Sequence, residues 1–248
     1  MPTPSENTPR IDGRSASELR EISLTTGVNP HAEGSCLIKF GRTEVLCTAS
    51  TQDRTPQWLK GKGQGWITAE YGMLPRATAD RKDREASKGK QEGRTLEIQR
   101  LIGRSLRSVS NMKNMDGLTI WLDCDVIVAD GGTRTASITG AYVALALALQ
   151  ELERQKRLKG PVLMDQVAAI SCGSLASGVV LDMNYEEDSS ALADANFVMA
   201  GNGGWIELQM SAEQHPIAST DFTIMQNLAA TGIRQLMDLQ NRALKLAA

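Results

Sequence analysis

The sequence has few of the residues on which several common enzyme classes depend. Only two of its 248 residues are histidine, His31 and His215, and neither lies in a nucleophile signature. Both are expected to be structural or surface residues, so neither a Ser/His/Asp nor a Cys/His site is indicated. The four cysteines stand singly inside apolar runs and lack zinc spacing. This usage favours buried, reduced thiols in a cytosol over a secreted disulfide framework.

Neither the charge nor the hydropathy of the chain points to a membrane or to a globally basic protein. The formal net charge is −2, so a polyanionic partner would have to be held by local basic patches. We expect no apolar stretch that approaches the length of a membrane span, and no signal peptide at the N-terminus. The glycine-rich segment 61–65 lacks the GxxxxGK[ST] spacing, which argues against a P-loop ATPase. The apolar fraction of 41% and the charged fraction of 23% are typical of a soluble globular protein.

The most informative stretch is 130–137, which reads Asp-Gly-Gly-Thr-Arg-Thr-Ala-Ser. Apolar periodicity predicts a buried strand over 118–128 before it and a helix over 134–155 after it. Two glycines permit close backbone approach, and the first turn of a helix offers free N–H groups beside Thr133 and Arg134. The stretch therefore predicts a pocket for a phosphate-sized anion, with a plain capped turn as the alternative. Arg94, at the start of another predicted helix, either completes this pocket or is solvated.

Strands followed by helices occur twice along the chain. Strand patterns at 22–26, 36–40 and 45–50 predict an antiparallel meander, and a strand at 67–73 and a helix over 94–110 follow. The second half has strand patterns at 167–174, 179–183, 197–199 and 205–210, with a hairpin about 201–204 and a final helix over about 221–246. This order predicts an α+β fold with helices packed on mixed sheets and an internal boundary near 160. Residues 1–9, which are polar and proline-rich, are expected to form a flexible tail.

Two other stretches are rich in charge. Five carboxylates fall within 182–194 and repel one another unless they are exposed or neutralised by a cation; they are Asp182, Glu186, Glu187, Asp188 and Asp194. Oxygen ligands at irregular spacing suit Mg²⁺ or Mn²⁺, and a solvated acidic loop is the alternative. The long loop over 74–93 carries several basic residues, and tryptophans lie nearby. It suits a nucleic-acid backbone, with a subunit interface or a solvated surface as the alternatives.

Taken together, these patterns resemble the bacterial ribonuclease PH family. The matching segments are 9–14, 31–35, 45–50, 63–78, 93–104, 123–125 and 130–141. The resemblance covers about residues 10–240. It implies a duplicated β-α-β unit with mixed sheets and packed helices, like domain 2 of a ribosomal protein, as one domain over 10–248. It also implies a cytoplasmic homohexamer, a trimer of dimers, that has no contact with membranes.

The same resemblance implies a function and its residues. The family is a phosphorolytic nucleotidyltransferase: it removes nucleotides from the 3′ ends of RNA, mainly tRNA precursors, uses inorganic phosphate as co-substrate and releases nucleoside diphosphates. The residues that match its phosphate site are Arg94, Gly132, Thr133 and Arg134. Asp188 and Asp194 match the pair that supports catalysis and a divalent metal, Mg²⁺ or Mn²⁺. The residues that match the region used for RNA or subunit contacts are Arg76, Arg81 and Arg84.

The sequence departs from the family pattern in three places. Asn184 stands where the family often has a carboxylate, which puts a third metal ligand in doubt. Residues 209–216 are altered, and we expect a changed surface loop there; the proline-rich tail is also longer than usual. The alternative function is a non-catalytic, RNA-binding ring subunit of an exosome-like assembly, which would be expected to lose the arginine pair or the aspartate pair. A small-molecule kinase is disfavoured because a glycine–serine phosphate loop is missing.

Overall fold

A computed structural model describes residues 10–213 and 216–247, so the tail predicted over 1–9 and the expectation for His215 lie outside the described residues. In chain order the strands are β1 Ile22–Thr26, β2 Gly34–Phe40, β3 Thr43–Gln52, β4 Trp66–Met73, β5 Thr119–Val128, β6 Val167–Leu175, β7 Gly178–Leu181, β8 Ala193–Ala200 and β9 Trp205–Ala212. The helices are α1 Gly93–Ser108, α2 Thr133–Arg154, α3 Tyr185–Ser190 and α4 Ser219–Ala247.

The first half forms a sheet in the order β1-β2-β3-β5-β4. The first three strands make the predicted antiparallel meander. β5 pairs antiparallel with β3 and parallel with β4, so the sheet is mixed. Inward side chains of β3 and β5 alternate with outward ones, and their inner face contains Val45, Cys47, Leu122 and Cys124.

The second half forms an antiparallel sheet in the order β7-β6-β8-β9. The hairpin predicted about 201–204 joins β8 to β9. Helix α4 packs on β6, and helix α2 contacts both β2 and β3 of the first sheet and β6 of the second. Buried residues of both halves therefore share one apolar core around α2. The predicted α+β class, with helices packed on sheets, is confirmed; the first sheet is mixed, as predicted, and the second is antiparallel.

Helix α2 corrects the expectation that no apolar stretch reaches the length of a membrane span. By length and composition alone its 22 residues are long and apolar enough to cross a membrane. However, 83% of that apolar window is buried inside the folded chain. The sequence test cannot separate a membrane span from the central helix of a two-sheet domain, and α2 is the latter.

The second half differs most from the predictions. The acidic stretch contains a short helix, α3, whose start is fixed by a capping box: Asn184 accepts from the N–H of Glu187 at 3.0 Å, and Glu187 accepts from the N–H of Asn184 at 3.0 Å. Strand β7 ends at Leu181 because Asp182 has a left-handed φ of 54°. Strand β8 begins at Ala193, four residues earlier than its apolar pattern indicates.

Candidate active site

The Gly-Gly turn has the geometry that its sequence predicts. Gly131 and Gly132 both adopt positive φ, at 77° and 67°, and α2 begins at Thr133 with Gly132 as its N-cap. A Cβ on Gly131 would lie only 2.7 Å from the backbone oxygen of Met183. The turn is therefore packed directly against the segment that leads into α3, which places the first turn of α2 beside the acidic stretch.

A small, polar cleft of about 60 Å³ opens at this helix terminus. All six residues predicted for phosphate binding and for the acidic pair line it: Arg94, Gly132, Thr133, Arg134, Asp188 and Asp194. Ser171 and Asn196, from neighbouring strands β6 and β8, also line the cleft. Sequence reasoning missed both, since their strands bring them to the site only through sheet pairing.

Two arginines supply the positive side of the cleft. Arg94 comes from the first turn of α1, and within the described ranges it forms no ion pair with a carboxylate. Arg134 is mostly buried; its Nη1 donates to Oε1 of Gln209 at 2.7 Å and lies 3.7 Å from Oε1 of Glu97. Both guanidiniums adjoin the free N–H groups of α2, so the cleft is suited to an anion.

Tyr71, on β4, supports the start of α2. Its hydroxyl lies 2.9 Å from Oγ1 of Thr133, and both side chains are buried. Burial raises the pKa of Tyr71, which keeps the phenol protonated and available for this hydrogen bond. Tyr71 therefore fixes the side chain of Thr133, a role that the sequence did not reveal.

Asp188 and Asp194 form the negative side of the cleft. Burial and then the charge of Asp194 raise the pKa of Asp188, although Arg94 and Arg134 act in the opposite direction. Two carboxylates that line the same small cleft form a donor set that fits a hard divalent cation. No larger cluster of metal-ligating side chains occurs in the part of the chain that the structure describes. Asn184 caps α3 instead of adding a third carboxylate.

Of the other three carboxylates in the acidic stretch only Glu186 is exposed, so the alternative of a solvated loop is wrong for Asp182 and Glu187. Asp182 and Glu187 are fully buried and pair with three arginines of the N-terminal segment, forming a buried ion cluster of Arg10, Arg14, Arg20, Asp182 and Glu187. Arg10 binds both oxygens of Glu187, at 2.6 and 2.5 Å, and Arg20 binds both oxygens of Asp182, at 3.1 and 2.7 Å.

The buried ion cluster also reaches the Gly-Gly turn. Nη1 of Arg20 donates to the backbone oxygen of Asp130 at 2.5 Å. The carboxylate of Asp130 accepts from Arg42 at 3.1 Å. Burial alone would raise the pKa of Asp130, but the hydrogen bonds from Arg42 and from the N–H of Tyr185 lower it overall. Arg20 therefore joins the N-terminal segment, the turn and the acidic stretch into one unit.

A groove of about 770 Å³ runs beneath the long loop and shares Arg94 with the cleft. Four basic residues of the loop line it: Lys82, Arg84, Lys88 and Lys90. Arg76 and Arg81 are exposed and lie outside the groove, and Arg81 pairs with Asp83 at 2.8 Å. The structure therefore separates the three arginines predicted for RNA or subunit contacts into one at the groove and two beyond it.

Gln209 corrects the expectation of a changed surface loop over 209–216. Residues up to Ala212 belong to strand β9, and positions 214–215 lie outside the described residues. The amide of Gln209 accepts from Arg134 and donates to Oε1 of Glu97 at 2.8 Å. This altered position therefore contacts the candidate anion site directly.

Comparison with solved structures first defines the class of fold. The chain is similar to rice (Oryza sativa) Rrp46, with a TM-score of 0.76 and 20% identity over 95% of this chain and 100% of that one. It is also similar to an Archaeoglobus fulgidus exosome structure described as having RNA bound to the active site. That match has a TM-score of 0.76 and 21% identity over 92% of this chain and 91% of the other. The fold is thus the one found in exosome subunits.

Sequence comparisons then give the family. Models of the 3′ exoribonuclease family match the chain twice, domain 1 over residues 18–150 and domain 2 over 165–231. Ribonuclease PH of Rhodospirillum rubrum is 55% identical over 235 residues, covering 95% of this chain and 98% of the relative. The chain belongs to the 3′ exoribonuclease family. The resemblance noted in the sequence is confirmed, and with it the activity of a phosphate-dependent 3′-exoribonuclease.

Proposed function

We propose that the chain trims the 3′ ends of tRNA precursors in the cytoplasm, transferring each terminal nucleotidyl group to inorganic phosphate and releasing a nucleoside diphosphate. One observation carries this proposal: Arg94, Arg134 and the first turn of α2 meet Asp188 and Asp194 in a single cleft. A cleft that has both an anion site and a pair of carboxylates suits the transfer of a nucleotidyl group from RNA to inorganic phosphate. The relative named ribonuclease PH supports the same activity.

The proposed phosphate site is formed by Arg94, Gly132, Thr133 and Arg134. Free phosphate is strongly hydrated and therefore a poor nucleophile in water. Two guanidiniums and the N–H groups of α2 replace that hydration and align one oxygen with the terminal phosphodiester. Because this oxygen is already ionised, the reaction needs no general base, which agrees with the scarcity of histidine.

Asp188 and Asp194 are the proposed catalytic pair and would hold a Mg²⁺ or Mn²⁺ ion. When bound, such an ion neutralises charge that develops on the scissile phosphate and on the leaving 3′ oxygen. Burial and then the charge of Asp194 raise the pKa of Asp188, and a bound cation would offset both effects. The role of the chain itself is to keep both carboxylates close to the arginines that hold the phosphate.

The groove beneath the long loop is the proposed path of the RNA 3′ end. Arg84 and three lysines line it, and Arg94 lies where it meets the cleft. Arg76 and Arg81 would contact RNA farther from the cleft or a neighbouring subunit.

The proposed assembly is a ring of six subunits built from dimers. Light scattering coupled to size-exclusion chromatography tests this ring, and a monomer at micromolar concentration would contradict it.

The activity is tested with a tRNA precursor that carries a labelled 3′ trailer, in the presence of Mg²⁺. We expect labelled nucleoside diphosphates only when phosphate is added, and no shortening beyond the mature 3′ end. Release of monophosphates would mean hydrolysis, and intact RNA at saturating phosphate would favour the non-catalytic ring subunit. A precursor without a trailer serves as the control for substrate preference.

The metal role is tested separately from turnover. Mn²⁺ binding followed by electron paramagnetic resonance should weaken in Asp194→Asn, while RNA affinity stays close to that of the unmodified chain. Asp238→Asn, which changes an exposed carboxylate on α4, is the matched control. Equal Mn²⁺ binding by both variants would contradict the proposed ligand pair.

A further inference from the structure

Ser171 is the only residue in the described ranges with a buried side-chain oxygen or nitrogen that lacks a hydrogen-bond partner. It lies on β6, opposite Asn196 of β8, and only 6% of its surface is exposed. Its backbone oxygen accepts from the N–H of Asp182 at 2.8 Å. The carbonyl of Ser171 is therefore satisfied, and the hydroxyl is its side-chain group without a partner.

The unpartnered hydroxyl faces the cleft. Ser171 lines it together with both arginines and both aspartates, and a Cβ on Gly132 would lie 3.9 Å from Oγ of Ser171. The hydroxyl of Thr133, by contrast, is already bonded to Tyr71. A buried hydroxyl without a partner is disfavoured, so such a group beside an anion site indicates that its partner is the ligand.

We propose that Oγ of Ser171 donates a hydrogen bond to the phosphate that serves as nucleophile. The inference rests on the proposed function of this cleft and adds a contact from β6 to those already described. A hydroxyl can turn to donate, and an anionic oxygen is the acceptor that the surrounding arginines attract. The bond would hold the phosphate on the side of the cleft nearest Asp194, which pairs with Gly173 two residues along β6.

The contact predicts an effect on phosphate without an effect on folding. Removing a hydroxyl that has no partner in the protein should leave the melting temperature unchanged or raise it slightly. A hydrogen bond to a charged ligand is worth roughly a tenfold change in affinity or more. A structural serine would show the opposite pattern, with lower stability and unchanged kinetics.

The test compares Ser171→Ala with Ser174→Ala. Ser174 is equally well buried on the same strand but three residues away, hence on the opposite face and outside the cleft. For Ser171→Ala we expect kcat/KM for phosphate to fall roughly tenfold or more, with KM for RNA unchanged at saturating phosphate. The rise in melting temperature that added phosphate produces should shrink in parallel. Ser174→Ala should keep both properties.

Several outcomes would overturn the contact. Unchanged kcat/KM for phosphate in a folded Ser171→Ala protein, or a rise in KM for RNA alone, would show that the hydroxyl does not hold the nucleophile. If Ser171→Ala fails to fold, the nearly isosteric Ser171→Cys replaces it, with the same expectation. Failure of the unmodified chain to release nucleoside diphosphates would instead contradict the proposed function, so the two failures are distinguishable.

Discussion

The buried ion cluster and the cleft are both built from arginines and carboxylates. In both of them the carboxylates come from the acidic stretch 182–194. In the buried ion cluster, both carboxylates are held by guanidiniums in bidentate pairs and are excluded from water. In the cleft, Asp188 and Asp194 form no ion pair within the described residues, and Arg94 is likewise unpaired there. The charges that are paired inside the protein have no free valence for a ligand, whereas those left unpaired in the cleft can bind one.

The contrast shows why the acidic stretch could not be interpreted from its composition. Glu187 and Asp188 are neighbours in the sequence, yet the rotation of about 100° between successive helix residues directs Glu187 toward Arg10 and leaves Asp188 at the cleft. The buried pairs therefore position the side chains proposed for catalysis without lining the cleft themselves. Substitutions that remove a single side chain from one region or the other test this difference.

The largest expected effect is a loss of stability in Glu187→Ala. The substitution leaves Arg10 buried without its partner and removes half of the capping box of α3. Breaking a buried pair in this way costs about 3–5 kcal/mol, which is a large part of the stability of a typical domain. Denaturant unfolding at fixed protein concentration measures this cost.

Glu186→Ala is the matched control for that experiment, because Glu186 is adjacent, equally acidic and exposed. Its free energy of unfolding should stay within about 0.5 kcal/mol of the unmodified chain. Similar losses for both variants would mean that the burial of Glu187 does not determine the effect.

The next largest effect is the loss of activity in Arg134→Ala. Removing one of the two guanidiniums from the cleft should lower kcat/KM for phosphate by about 10²–10³-fold, as for other preorganised donors. Stability should change little, since the side chain contacts Gln209 and Glu97 rather than the apolar core. Arg154→Ala, at the exposed far end of α2, should leave turnover unchanged. Normal turnover of Arg134→Ala at limiting phosphate would contradict the anion site.

Local sequence patterns were sufficient for most of the fold. The apolar periodicity of α1 and α2 and the alternation along β5 come from residues that face one core, so they fix each element without knowledge of its neighbours. The two glycines before Thr133 likewise fix the turn by their positive φ. Helix α3 has little apolar periodicity because its six residues are held by a capping box and by Arg10.

The part of the site that was missed depends on pairing between distant segments. Ser171 reaches the cleft and Gln209 reaches Arg134 only because β6 pairs with β8, and β8 with β9. Nothing in the residues beside them in the sequence indicates that contact. Arg10 and Arg14 lie near the start of the described chain, yet Arg10 binds Glu187 and Arg14 binds the backbone oxygen of Asp182, more than 160 positions away. Long-range contacts of single polar residues are thus the information that local patterns lack.

A smaller effect is expected at Gln209, which holds the guanidinium of Arg134 at the edge of the cleft. In Gln209→Ala, Arg134 loses the acceptor that fixes its Nη1, and Glu97 loses a donor. A hydrogen bond of about 1 kcal/mol corresponds to roughly a fivefold fall in kcat/KM for phosphate. KM for RNA should not change. Met210→Ala, at the next and partly exposed position of β9, is the control, and an equal fall there would argue against a positioning role.

The smallest expected effect is a pH-dependent change in the folding stability of Asp188→Asn, which distinguishes a carboxylate of the cleft from one of the buried ion cluster. Because the pKa of Asp188 is raised above its ordinary value of 3.8, its charged form is disfavoured in the folded chain. The folded state is therefore less stable, by the full amount, at pH values above the raised pKa of Asp188. This loss of stability disappears as the pH falls toward 3.8. Asp188→Asn should therefore be slightly more stable than the unmodified chain at neutral pH, with a gain that fades on acidification, although its catalytic rate falls. Thermal unfolding between pH 7 and about pH 4 measures this difference. A loss of stability at neutral pH would place Asp188 with the buried carboxylates instead of the ligand-binding ones.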